Sequence, residues 1–165
     1  MEQIMVTPLR SWQIIIGKLF PFAVIGLIDV LIVTALVVFW FRVPLRGSFL
    51  LLIGLTMVLV LNNLGLGLLV STIARTQQQA MMGTAFILML PQIYLSGLIF
   101  PIENMPAAIQ KITYLIPLRY FTTILRGIFL KGSGLDVLWP QAVALGGFAI
   151  LFLTLASLRF RKRLD

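Results

Sequence analysis

The chain has no cysteine and no histidine among its 165 residues, and it has only five acidic residues. The missing residues remove thiol nucleophiles, disulfides, imidazole bases and the usual zinc ligand sets. The few acids show no paired spacing, and the serines have no histidine to activate them. No glycine-rich phosphate loop is present, because Gly17-Lys18 has no upstream partner glycine in the required frame. Nothing in these residues looks like hydrolytic or metal chemistry. The N-terminus also lacks a basic region leading into a short apolar core, so it does not read as a signal peptide.

What the chain has is apolar length. Hydrophobic residues make up 60% and charged residues 11%, against about 25% charged in a soluble domain, and mean hydropathy is +1.06. Four stretches carry few or no charges: 19–41, 47–74, 80–100 and 137–158. Each is about the ~20 residues that cross a ~30 Å hydrocarbon core as a helix. In lipid the backbone must satisfy its own hydrogen bonds, so all four are expected to be helices. The expected class is an all-α integral membrane protein, with one membrane domain over 1–165.

The net charge of +8 would suggest nucleic acid in a soluble protein. Here basic residues flank spans, face anionic lipid and set topology, so no nucleic-acid partner is expected. The densest cluster, Arg159, Arg161, Lys162 and Arg163, puts the C-terminus in the cytoplasm. With four spans the residues before Lys18 are then cytoplasmic too. The loop around Arg42–Arg46 is outer, and Arg75–Gln79 is a short inner loop. Met1–Gln13 mixes charges with apolar residues around Pro8 and reads as a helix lying at a surface.

Residues 101–134 break the pattern. Pro101, Pro106 and Pro117 favour interruptions, yet apolar residues recur throughout. We read two amphipathic helices, about Pro106–Leu115 and Leu118–Lys131, lying in or dipping into the outer interface. Arg119 and Arg126 are seven apart and share a helical face. Gly132-Ser133-Gly134 ends the segment. A fifth span over Ile112–Leu130 is the competing reading, and its two arginines make it costly.

Four polar residues fall at membrane depth: Asp29, the one carboxylate inside a span, then Asn62, Asn63 and Gln92. We expect them to cluster near the midplane, either as interhelical hydrogen-bond glue or as part of a translocation path. Gly65, Gly67 and Ser71, with Gly146 and Gly147, suggest close-packed helix contacts. Met81, Met82 and Met89 are expected to be packing residues.

The stretch MEQIMVTPLRSWQIIIGKL resembles a cytoplasmic segment of ABC-2 type permeases, the membrane subunits of one class of ATP-binding-cassette exporters. Glu2, Thr7, Pro8, Gly17 and Lys18 match that segment. NNLGLGLLVSTIARTQQQA looks like the family's middle helices and inner loop. LSGLIFPIENMP and IPLRYFTTILRGIFLKG look like its outer re-entrant region, with Pro117, Tyr120 and Arg126 at motif positions. The resemblance implies a multi-pass protein of the bacterial inner membrane that pairs with a second permease subunit and binds a separate ATPase. That partner would hold the ATP and magnesium, so this chain would need no cofactor or metal of its own. Glu2, Thr7, Pro8, Leu9 and Arg10, within a cytoplasmic segment 1–17, would couple the ATPase to the spans. Pro117, Arg119, Tyr120 and Arg126 would belong to helices that close the path on the outer side. The implied substrates are drug-like amphiphiles, lipids or glycans. The family usually has six spans, and this chain resembles the last four, as a C-terminal portion would. A membrane scaffold or assembly protein without transport, or a truncated remnant, is the alternative reading. In the full-length context, Glu2→Lys is expected to abolish ATP-driven transport while membrane insertion is unchanged. Unaltered transport by that variant would remove the coupling assignment.

Overall fold

The computed structural model describes residues 11–161, and among these every regular element is helical, without strands. Helix α1 (Ser11–Ala35) is already running at Ser11 and passes through Pro21. It continues as a wider π-turn, Leu36–Trp40. Residues 11–17, expected as part of a separate surface segment, are thus continuous with the first span. The reversal at 41–48 includes Arg42 at φ 55. Helix α2 (Phe49–Ile73) opens on Ser48, whose hydroxyl accepts the Leu51 N–H.

The inner connection is shorter than expected. Thr76 caps helix α3 (Gln77–Gly83) by accepting the Gln79 N–H. The Gln79 side chain in turn accepts the Arg75 N–H at 3.1 Å, a variant of the reciprocal capping box. The third apolar stretch is then a series of pieces: α3, a π-turn Thr84–Met89, and α4 (Leu90–Leu95). Pro91 explains the widening, since it cannot donate to the preceding turn and its ring crowds the carbonyl four residues back. The helix stops at Leu95, five residues before the expected end. Among the described residues three helices are each long and apolar enough to cross a membrane: Leu19–Trp40, Phe49–Ile73 and Leu135–Arg159.

Two short helices follow. Helix α5 (Ala107–Thr113) starts after Pro106, and α6 (Pro117–Arg126) carries Pro117 in its first turn. Ile116, ahead of that proline, is extended at φ −97, ψ 111. The break at 114–116 therefore excludes a span over Ile112–Leu130. A π-turn, Gly127–Lys131, leads to Gly132 at φ 66, a left-handed position suited to glycine. Helix α7 (Leu135–Arg161) closes the described chain.

The core corrects one expectation. Helix α6 does not merely lie in the interface. Its Phe121 and Ile124, and Ile128 just beyond it, pack with Leu52, Leu55 and Leu59 of α2 and Leu138 and Leu145 of α7. Ile124 and Ile128 are 0% exposed. Lipid tails are as apolar as these side chains, so the gain comes from close packing and dispersion, not from escape from water. Helix α1 leans on α2 at Gly26, where an added Cβ would come within 2.9 Å of Val60. Most of its remaining surface is open.

Of the four glycines singled out, Gly65 alone makes the expected contact. A Cβ on Gly65 would meet Phe152 Cβ at 3.0 Å and the Leu153 backbone nitrogen at 3.3 Å, so α2 and α7 touch there. Gly67, Gly146 and Gly147 have nothing within 4 Å. Ser71 and the methionines at 81, 82 and 89 are exposed, so those side chains are not core packing. Overpacking typically costs about 1–3 kcal/mol. Gly65→Leu is therefore expected to lower resistance to detergent-induced unfolding by about that amount, whereas Gly67→Leu should change it by less than about 0.5 kcal/mol.

Candidate translocation elements and hairpin

The expected midplane cluster of Asp29, Asn62, Asn63 and Gln92 separates into three places. Asn62 is 0% exposed. Its amide donates to Val58 O on its own helix and to Leu145 O on α7, both at 2.9 Å. Its Oδ1 is buried without a partner. This residue is interhelical glue between α2 and α7. Asn63, one position on, faces away and lines a cavity of about 260 Å³ with Gln92 and Leu118. Asp29 lines a different cavity, between α1, α2 and α6, together with Arg126.

The hairpin places its own residues tightly. Leu118, at the start of α6, shares the cavity of Asn63, near the middle of α2. At the other end, Arg46 Nη1 donates to Leu130 O at 3.2 Å, joining α6's continuation to the 41–48 reversal. Helix α6 thus runs from the level of mid-α2 to the end of the bundle that holds the 41–48 reversal, and the 114–116 turn lies at its other end.

Three of the four outer-helix residues anticipated from sequence have defined polar or ring contacts there. Pro117 is buried. The Arg119 guanidinium sits 3.8 Å from the Tyr114 ring centroid and donates to Thr113 Oγ1 and to Gln110 O. The Tyr120 hydroxyl donates to Tyr114 O at 2.9 Å, and its ring packs 5.9 Å from that of Phe148 on α7. Arg126 Nη2 donates to Gly97 O at 2.7 Å. Sequence reasoning missed Thr122, whose hydroxyl donates to Ser96 O at 2.9 Å, and Gln110, which donates to Met105 O at 2.9 Å. Its spacing, three residues after Arg119 and four before Arg126, which puts it on the face the two arginines share, was the available signal for Thr122. Glu2, Thr7, Pro8, Leu9 and Arg10 lie outside the described residues.

Long apolar helices around a mid-depth hairpin define a multi-pass membrane protein whose irregular segment is packed within its own bundle. The sequence comparisons give the family. The family model described as ABC-2 type transporter matches residues 1–130, and the chain belongs to that family. It is 40% identical over 139 residues to the probable multidrug ABC transporter permease YbhR of Escherichia coli strain K12, covering 84% of this chain and 38% of that protein. To the probable multidrug ABC transporter permease YbhS of the same strain it is 38% identical over 165 residues, covering 100% of this chain and 44% of the relative. The inner membrane transport permease YhhJ of that strain is 32% identical over 168 residues, with 98% and 43% covered. The chain therefore spans less than half the length of each of these relatives. No solved structure matches it.

The two asparagines make a paired prediction. Asn62→Ala should cost about 1–2 kcal/mol of detergent-unfolding stability through the lost bridge to α7 and the space left behind. Asn62→Cys should stay unlabelled by aqueous thiol reagents in every transport state. Labelling in any state would mean that α2 and α7 part during the cycle.

Proposed function

We propose that this chain forms part of the membrane-spanning subunit of an ATP-driven exporter in a bacterial inner membrane. It works with a separate cytoplasmic ATP-binding-cassette ATPase and a second permease subunit, as homodimer or heterodimer. The observation that carries this reading is the family match over residues 1–130, supported by relatives named as ABC transporter permeases. In this reading residues 1–165 form a single membrane domain. The helical run Gln77–Leu95 makes the fourth crossing, since nineteen residues at 1.5 Å each reach about 28 Å.

Glu2 and Thr7–Arg10 take movement from the ATPase at the inner end. ATP binding then shifts the subunit pair between inward and outward access by differential affinity for the two states. The hairpin of α5 and α6, with Pro117, Arg119, Tyr120 and Arg126, closes the path on the outer side. Its hydrogen-bonded, core-packed attachment to α7 and to the turn after α4 supports movement as a unit with those helices. The cargo is a drug-like amphiphile, a lipid or a glycan.

Co-purification decides between this reading and a scaffold. The complete permease is expected to bring down an ATPase subunit and, in vesicles, to move an amphiphilic dye only when ATP is supplied. A permease that purifies without an ATPase and moves nothing with ATP would be a scaffold, and the export reading would fall.

A further inference from the structure

Helices α2 and α7 run side by side and end together. They touch where Gly65 meets Phe152 and Leu153. About two turns further along each helix stand Thr72 and Arg159. A cavity of about 890 Å³ opens between these two ends. Leu69 and Ile73 of α2 and Leu155 and Leu158 of α7 form its apolar walls, and all four belong to membrane-length helices. Arg75, in the turn after α2, and Arg159 form its charged lining. Both arginines are exposed. Arg75 is bonded through its backbone N–H, and among the described residues no hydrogen bond or ion pair reaches either guanidinium. No described carboxylate lies at this end of the bundle: Asp29 is well inside α1, Glu103 precedes α5 and Asp136 opens α7. The C-terminal ends of α2 and α7 each carry about half a negative charge. Two guanidinium groups exceed that and leave about one unit of positive charge beside an apolar groove.

We propose that this cavity holds an anionic phospholipid. The phosphate lies against Arg75 and Arg159, whose planar donors suit phosphate oxygens, and an acyl chain lies along the leucine and isoleucine walls. Because those walls belong to membrane-length helices, they favour a ligand whose apolar body resides in the bilayer over a soluble phosphate or an acidic peptide. A zwitterionic lipid would bring an ammonium group to a site that is already positive. In the topology expected from the charge pattern this end meets the cytoplasmic leaflet, whose anionic lipids gather at basic pockets between helices. The site requires a membrane domain and is independent of the export reading.

Short-chain lipids that differ in headgroup charge provide the test, with the complete permease in detergent. Dioctanoyl phosphatidylglycerol is expected to bind at least about tenfold more tightly than dioctanoyl phosphatidylcholine, and the double variant Arg75→Gln/Arg159→Gln to lose about tenfold for the first lipid alone. Removing as much charge elsewhere, with Arg42→Gln/Lys111→Gln, is expected to leave both affinities unchanged. Leu155→Trp, which fills the groove and keeps both charges, is expected to weaken phosphatidylglycerol binding. Equal affinity for the two lipids, as when Glu2 or Asp165 already pairs with the arginines, would overturn the proposal. So would an equal loss in the Arg42/Lys111 variant, which would mean diffuse attraction. Glycerol phosphate that binds as tightly as the lipid would make this a free-phosphate site, and displacement of the lipid by added ATPase subunit would assign the arginines to that interface; either result overturns the lipid assignment. If the Arg75/Arg159 variant does not fold, undiminished binding by Leu155→Trp overturns it instead. Selective phosphatidylglycerol binding by a permease that brings down no ATPase would remove the export reading and leave the site.

Discussion

A backbone that breaks its helices at membrane depth must find hydrogen-bond partners for the freed groups, and much of this structure follows from that demand. The segment from Ser96 to Ile116 contains a turn, a short 3₁₀ stretch (Ile102–Asn104) and two helix boundaries, each leaving backbone groups without helical partners. The side chains that answer them come from the hairpin itself. Thr122 takes Ser96, Arg126 takes Gly97, Gln110 takes Met105 and Tyr120 takes Tyr114. All four donate to carbonyls. What looks in sequence like a polar interruption is therefore a set of donors matched to the backbone they stabilise.

This accounting also explains why arginines can stand where a span would exclude them. Arg119 and Arg126 each give at least one N–H to a backbone carbonyl, and Arg119 also lies against the face of the Tyr114 ring. Apolar packing then fixes the hairpin between α2 and α7, with Ile124 and Ile128 at the centre. Polar staples set where the hairpin sits, and dispersion forces hold it there. The two kinds of contact lie on different faces of the same helix.

Sequence made some of this legible and concealed the rest for a physical reason. Apolar length marked three of the four expected spans, and the prolines at 106 and 117 marked where α5 and α6 begin. Of the residues named for the hairpin, Arg119, Tyr120 and Arg126 have defined contacts and Pro117 is buried. Helices α1 and α2 are apolar almost all round, so periodicity gives no hint of which face meets another helix and which meets lipid. That is why Asn62 and Asn63 could not be told apart, although one bridges to α7 and the other lines a cavity. For the same reason Gly67 and the methionines were assigned to packing although they lie open. Helix α6, with two arginines on one face, was the element whose orientation could be read. The widened turn before Pro91 shortened the third apolar run in a way that composition alone does not show.

The bridge from Asn62 to Leu145 spans 83 residues of sequence, which bears on biogenesis. At synthesis rates of about 5–20 residues per second, the asparagine waits on the order of ten seconds before its acceptor is made. The hairpin waits as well, since its core contacts with Leu138 and Leu145 come from the last helix. During that interval the nascent chain holds an amide bonded only within its own helix and an unanchored polar hairpin. Both need shelter beside the insertion machinery until α7 emerges and completes the bundle.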